Sequence, residues 1–193
     1  MDLNAKIFDF YYDLAFRDAT MRKAFKRKDE EKYDDAKFHE RKSKIKDAAK
    51  GCVANYIDLI MKGKCGEDTT RDTIIGVFKE TSQYGFTFGN AQKLVNMTAK
   101  YFYMICYNDK SLRKNFKYCH CPMDSRMINV VLDRRGNEDK RSIKSNMGWS
   151  MLGLNDENDE NGVSIAYQKF QQIIKEIGDN EQIYPLEVDY KYW

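Results

Sequence analysis

The sequence predicts an all-α protein. Apolar residues recur at helical spacing along most of its 193 positions, and only two prolines (Pro122, Pro185) and 11 glycines interrupt them. Hydrophobic residues make up 42% and aromatic residues 13%, enough to build a core. The length suits one compact domain or two closely packed lobes over 1–193, one holding roughly 84–132 and the other 154–193 at the C-terminal side.

The elements follow in order. Residues 4–27 read as a first helix through Ile7, Phe8, Tyr11, Leu14 and Ala15. It closes on Arg22, Lys23, Lys26, Arg27 and Lys28, cations that suit the negative end of a helix dipole. A long charged helix runs from about Asp29, turns apolar through Val53, Tyr56, Ile57, Ile60 and Met61, and stops at Gly63. Thr69, Thr70, Arg71 and Asp72 mark the next helix start, with Ile74, Ile75, Val77 and Phe78 as its buried face. The stretch Tyr84–Gly89 is a short turn. The helix that follows, from Asn90 to about Tyr107, is apolar nearly all round, with a narrow polar stripe of Gln92, Asn96, Lys100 and Tyr103; such a helix is central and buried. Lys93 lies at the edge of that stripe, on a face with Met97 and Met104.

After a basic loop (Lys110, Arg113, Lys114, Lys117) comes Cys121-Pro122-Met123-Asp124-Ser125, then a short helix through Met127, Ile128, Val131 and Leu132. Residues 133–146 read as an exposed loop and 155–161 as an acidic linker. The last helix is expected over roughly 163–178, followed by an extended tail from Tyr184 to Trp193.

Charge and cysteine usage narrow the function classes. Charged residues reach 33% and mean hydropathy is −0.74, so no membrane-spanning stretch is expected. The first twenty residues carry acids early and have no apolar run, so no secretory signal is expected. Five cysteines, two of them flanking His120, fit free thiols in a reducing, cytoplasmic setting. Cys119-His120-Cys121 lacks the usual two-residue gap between thiolate ligands and has no second ligand pair, so no metal and no cofactor are expected. The overall charge of +3 is unevenly placed: residues 1–144 carry +9 and residues 145–193 carry −6. That asymmetry fits either a polyanion-binding surface or ordinary solvated lysines.

Three pieces carry the chemistry. A turn with Gly85 and Gly89 enters the buried helix that bears Lys93, and 31 positions later Asp124 opens another helix. The strings Gly89-Asn90-Ala91-Gln92-Lys93-Leu94-Val95 with Lys100, and Pro122-Met123-Asp124-Ser125-Arg126-Met127, resemble the catalytic elements of helix-hairpin-helix DNA glycosylases, most nearly the archaeal 8-oxoguanine branch. The resemblance covers roughly residues 84–132, and the usual compact glycine hairpin is not legible in it.

It implies a two-lobed helical bundle that flips a modified base out of double-stranded DNA and excises it, acting as a nucleoid-associated monomer. The base would be 8-oxoguanine or, as in related anti-phage defence enzymes, a hypermodified cytosine. By resemblance Lys93 is the Schiff-base lysine, with AP lyase chemistry following excision, and Asp124 the catalytic aspartate. Gly85, Gly89, Asn90 and Arg126 would then grip DNA, while Gln92, Trp149, Asp189 and Trp193 would receive the base. The chemistry needs such a pair. Cleaving the base builds positive charge on the sugar, which a carboxylate stabilises, and an amine attacks only when neutral, a state that burial favours.

Each residue also has a purely structural reading. Asp124 can be a helix N-cap, Lys93 can reach solvent along its stem, the glycines can be turn residues, and His120 can be a loop histidine. The tryptophans can pack in the core. The rival function is a non-catalytic helical protein that binds nucleic acid or another protein.

Overall fold

The computed structural model describes residues 3–21, 24–135, 148–152, 158–159 and 163–192. Among them are eight helices and no strand: α1 (Leu3–Ala19), α2 (Asp35–Met61), α3 (Thr69–Thr81), α4 (Phe88–Cys106), the single turn α5 (Lys110–Arg113), α6 (Ser125–Arg135), α7 (Ile165–Glu181) and α8 (Pro185–Tyr192). The all-helical expectation holds for these residues.

The core is built around α4. All but three of its 19 residues (Tyr101, Met104 and Ile105) are buried. It packs against α1, α2, α3 and the short 3₁₀ turn Trp149–Met151. Its start is a reciprocal cap: the Thr87 hydroxyl accepts from Asn90 N–H, and the Asn90 side chain accepts from Thr87 N–H. Gly85 sits at φ +77°, closing the turn before it.

Several boundaries differ from the sequence reading. α1 ends at Ala19 rather than near residue 27; Thr20 forms the turn that closes it, its N–H still bonded to Phe16 and Arg17 C=O. Lys26, Arg27 and Lys28 therefore lie beyond the helix; Arg22 and Lys23 lie outside the described residues. α2 begins at Asp35, not Asp29, capped by the Asp34 carboxylate on Lys37 N–H. Ahead of it, Glu31 is buried and takes both Arg41 Nε (2.5 Å) and Arg41 Nη2 (2.7 Å). α6 continues to Arg135 into the stretch read as loop; residues 136–147 lie outside the described set. Of the acidic linker, Asn158 and Asp159 are described: Asp159 N–H donates to Val163 C=O, and the Asp159 side chain accepts from Val163 N–H.

The largest difference is at the C-terminal end, where the expected extended tail is helix α8. Pro185 occupies its first position, where a missing N–H is harmless, and Glu187 accepts from Tyr184 N–H ahead of it. An eight-residue helix is marginal alone. Here Leu186 and Val188 are fully buried, which favours docking by roughly 3 kcal/mol or more.

Candidate active site

α4 presents Lys93 and Lys100 seven residues apart, hence on one face and about 10 Å apart along the axis. Each meets a carboxylate from a distant part of the chain. Lys93 Nζ donates to Asp124 Oδ2 at 2.7 Å, and Lys100 Nζ pairs with Asp189 Oδ2 at 2.6 Å. Lys93, Lys100 and Asp189 are all buried, and Asp124 is mostly so. The structure thus brings together Lys93 and Asp124, and it places Asp189 beside them.

Asp124 divides its two oxygens. Oδ2 faces Lys93, while Oδ1 accepts the N–H groups of Arg126 (3.1 Å) and Met127 (3.0 Å), capping α6. Burial is the largest influence on this carboxyl and pushes it up, but Lys93 and the two N–H groups together outweigh it, so it sits below its ordinary value. Asp189 goes the other way: burial lifts it above its ordinary value despite the Lys100 ammonium, with Asp124 adding to the rise. Its Oδ1 atom has no hydrogen-bond partner among the described groups. Cys121 lies in the field of both pairs. Burial first, then Asp189 and Asp124, hold it firmly as a thiol.

The loop that carries Asp124 is pinned by two glutamines. Gln92 Nε2 donates to Met123 C=O (2.8 Å) and Gln92 Oε1 accepts from Met123 N–H (3.1 Å). Gln171 of α7 does the same for Cys121, at 2.7 and 3.1 Å. Gln92 is fully buried, and both ends of its amide engage the Met123 backbone. Its Oε1 also accepts from Asn96 Nδ2, which donates in turn to the Tyr167 hydroxyl (2.9 Å). The Tyr167 hydroxyl and His120 Nδ1 lie within hydrogen-bond distance (2.9 Å). Burial, with Arg71 adding, pushes His120 down to about 4. His120 is therefore tied into the scaffold behind Asp124. Asn96 stood on the polar stripe read from sequence, whereas Gln171 and Tyr167 carried no such mark and are revealed only by their tertiary partners.

The expected phosphate-gripping turn is otherwise occupied. Gly89 N–H donates to Leu152 C=O (3.2 Å), and a Cβ on Gly89 would stand 2.0 Å from Trp149 C=O. Thr87 Oγ1 donates to Ser150 C=O (2.6 Å). Asn90 is sealed, its Nδ2 donating to the carbonyls of Ala19 and Ala24. Gly89 and Asn90 thus hold chain segments together and face no solvent. Gly85 is exposed at its turn, and Arg126 is exposed on the first turn of α6. Trp149 is half-buried, with its ring centroid 5.7 Å from Lys93 Nζ. Trp193 lies outside the described residues.

Among the described residues no three His, Cys, Asp or Glu side chains converge as a metal site, and no helix is long and apolar enough to cross a membrane. A cavity of about 520 Å³ lies along the outer end of α4, lined by Tyr103, Tyr107, Glu187 and Tyr190 among others; neither Lys93 nor Asp124 borders it. Comparison with protein-family models, with curated proteins and with solved structures finds no match to this chain.

Proposed function

We propose that the chain is a DNA glycosylase of the helix-hairpin-helix type, with lysine-based lyase chemistry, acting on a modified base in duplex DNA. The observation that carries the reading is the contact between Lys93 and Asp124. Two residues 31 positions apart in sequence, each in a motif resembling that family's, meet at 2.7 Å in a mostly buried place. Trp149 sets an indole face beside Lys93, the kind of group that holds a flipped base, and the buried Asp189 paired with Lys100 keeps one carboxylate oxygen without a hydrogen bond.

In the proposed reaction the C1′–N bond to the base breaks as positive charge builds on the sugar, and Asp124 stabilises that charge. Lys93 gives up a proton, relayed by Asp124, to the departing base. Its neutral amine then bonds to C1′, and ring opening yields the Schiff base. Capping of α6 fixes Asp124 for this role, because its second oxygen is held by backbone while the first faces the amine.

The rival is a helical binding protein in which both ion pairs are structural. The occupied state of Gly89 and Asn90 favours it, since the glycosylase hairpin normally offers such N–H groups to phosphate. Borohydride trapping separates the two. Incubation with duplex DNA carrying an abasic site or a modified base should give a covalent adduct with the wild type and none with Lys93→Gln. Asp124→Asn should slow excision by about 10²-fold or more. Absence of a wild-type adduct removes the lyase role, and unaltered excision by both variants removes the assignments.

A further inference from the structure

Helices α1 and α2 run antiparallel and are joined by rungs four residues apart. Asp9 of α1 pairs with Lys50 of α2 at 2.7 Å, and Asp13 pairs with Lys46 at 2.7 Å. Between them the Tyr12 hydroxyl donates to Lys46 C=O (2.6 Å), which fixes the register. One more step of four along each helix reaches Arg17 and Lys42. The third rung therefore sets a guanidinium opposite an ammonium where the first two set opposite charges. Lys42 is half-buried, its Nζ 5.9 Å from the Phe16 ring centroid and 5.8 Å from that of Phe38. Among the described residues neither Arg17 nor Lys42 has a carboxylate within ion-pair distance, while nearby Arg27 and Arg41 are taken by Asp35 and Glu31. Burial, then the Arg17 guanidinium, holds the Lys42 ammonium below its ordinary range.

From this register we infer that the Arg17–Lys42 rung is a phosphate site that takes a backbone phosphodiester of duplex DNA. A doubly partnered oxyanion between the two cations completes the ladder that the protein leaves repulsive. Arg offers a planar pair of donors and Lys a point charge, the usual means of holding phosphate. The place suits the role. Phe16, next to Arg17, stacks on Phe86 at 6.3 Å, just before the cap of α4, and the α1 terminus itself meets Asn90. Exposed Lys26 and Lys28 follow in the adjoining loop. The inference rests on the proposed reading for the identity of the polyanion. It also supplies a grip where the Gly89 N–H is already bonded within the chain.

Two measurements test it, neither needing excision. With inorganic phosphate replacing chloride at constant ionic strength, the wild-type Tm should rise. Lys42→Glu should raise Tm by about 2 °C without phosphate, by turning the third rung into an ion pair, and should abolish the phosphate response. On unmodified duplex DNA, Arg17→Gln and Lys42→Gln should each reduce the slope of log affinity against log salt by about 1, for every sequence tried. Lys62→Gln, the same charge loss about 30 Å away at the other end of α2, should not. A phosphate response kept in Lys42→Glu, a wild type without affinity for duplex DNA, or slopes unchanged in both glutamine variants overturns the inference. If Lys42→Glu fails to fold, Lys42→Gln makes the same phosphate comparison. A phosphate response with unchanged DNA slopes identifies a small phosphorylated ligand and overturns DNA as the occupant. Loss of the borohydride adduct would sink the glycosylase reading and leave these outcomes standing.

Discussion

Lys100 and Asp189 illustrate what a buried charge demands. The ammonium is nearly sealed and the carboxylate wholly so, and each compensates the other at 2.6 Å. Removing one partner strands a charge in the interior, which typically costs about 3–5 kcal/mol, whereas replacing both with apolar groups of similar size is often neutral. Asp189→Leu alone should thus lower the urea midpoint strongly, and Asp189→Leu with Lys100→Met should recover most of the loss. A double variant as unstable as the single one would show that the pair contributes more than mutual neutralisation. Lys93 and Asp124 were legible in sequence because each sits inside a local string with a recognisable shape. The partner of Lys100 was not, since nothing in the local sequence says that a residue 89 positions on folds back against it. Gln92 was placed correctly on the polar stripe of α4, but its engagement with the Met123 backbone depends on the approach of a distant loop.

At the scale of the element, α4 is organised by the approach of other segments to its first turn. A methyl group on Gly89 would collide with the Trp149 carbonyl, so Gly89→Ala must displace the turn at Trp149–Met151. It would also weaken the Gly89–Leu152 hydrogen bond. The expected loss is about 1–3 kcal/mol, read as a lower Tm, with the indole fluorescence of Trp149 shifting toward that of a solvated ring. An unchanged emission maximum would mean that the turn stays seated. α4, with its cap and apolar face, was readable from sequence to within about two residues, as was the start of α3. α8 was not. Its eight residues carry too few turns to show a period, and Pro185 reads as a breaker until one sees that it starts the helix. The early end of α1 was hidden as well: the apolar pattern runs on past Ala19, and no proline or glycine marks the stop.

Across the whole molecule, His120 sets where acid begins to matter. Its folded-state value of about 4 lies below the ordinary 6.5, so the unfolded chain takes up a proton that the folded protein refuses. Stability is fully present above about 6.5 and is lost as pH falls through about 4. Asp124 and Glu31, both held below their ordinary values, extend the loss further into acid. Asp189, held above its own, works in the opposite direction: its contribution is present in acid and fades as pH rises through its raised value. Urea midpoints measured across this range should fall between pH about 6.5 and 4 in the wild type. His120→Gln should flatten that segment, and an undiminished fall in the variant would point to another group. The docking of α8 has a consequence for biogenesis. A ribosome delivers α4 long before the segment that neutralises Lys100, so the nascent protein must keep that end of α4 hydrated, and the interior can close only once the last helix has emerged.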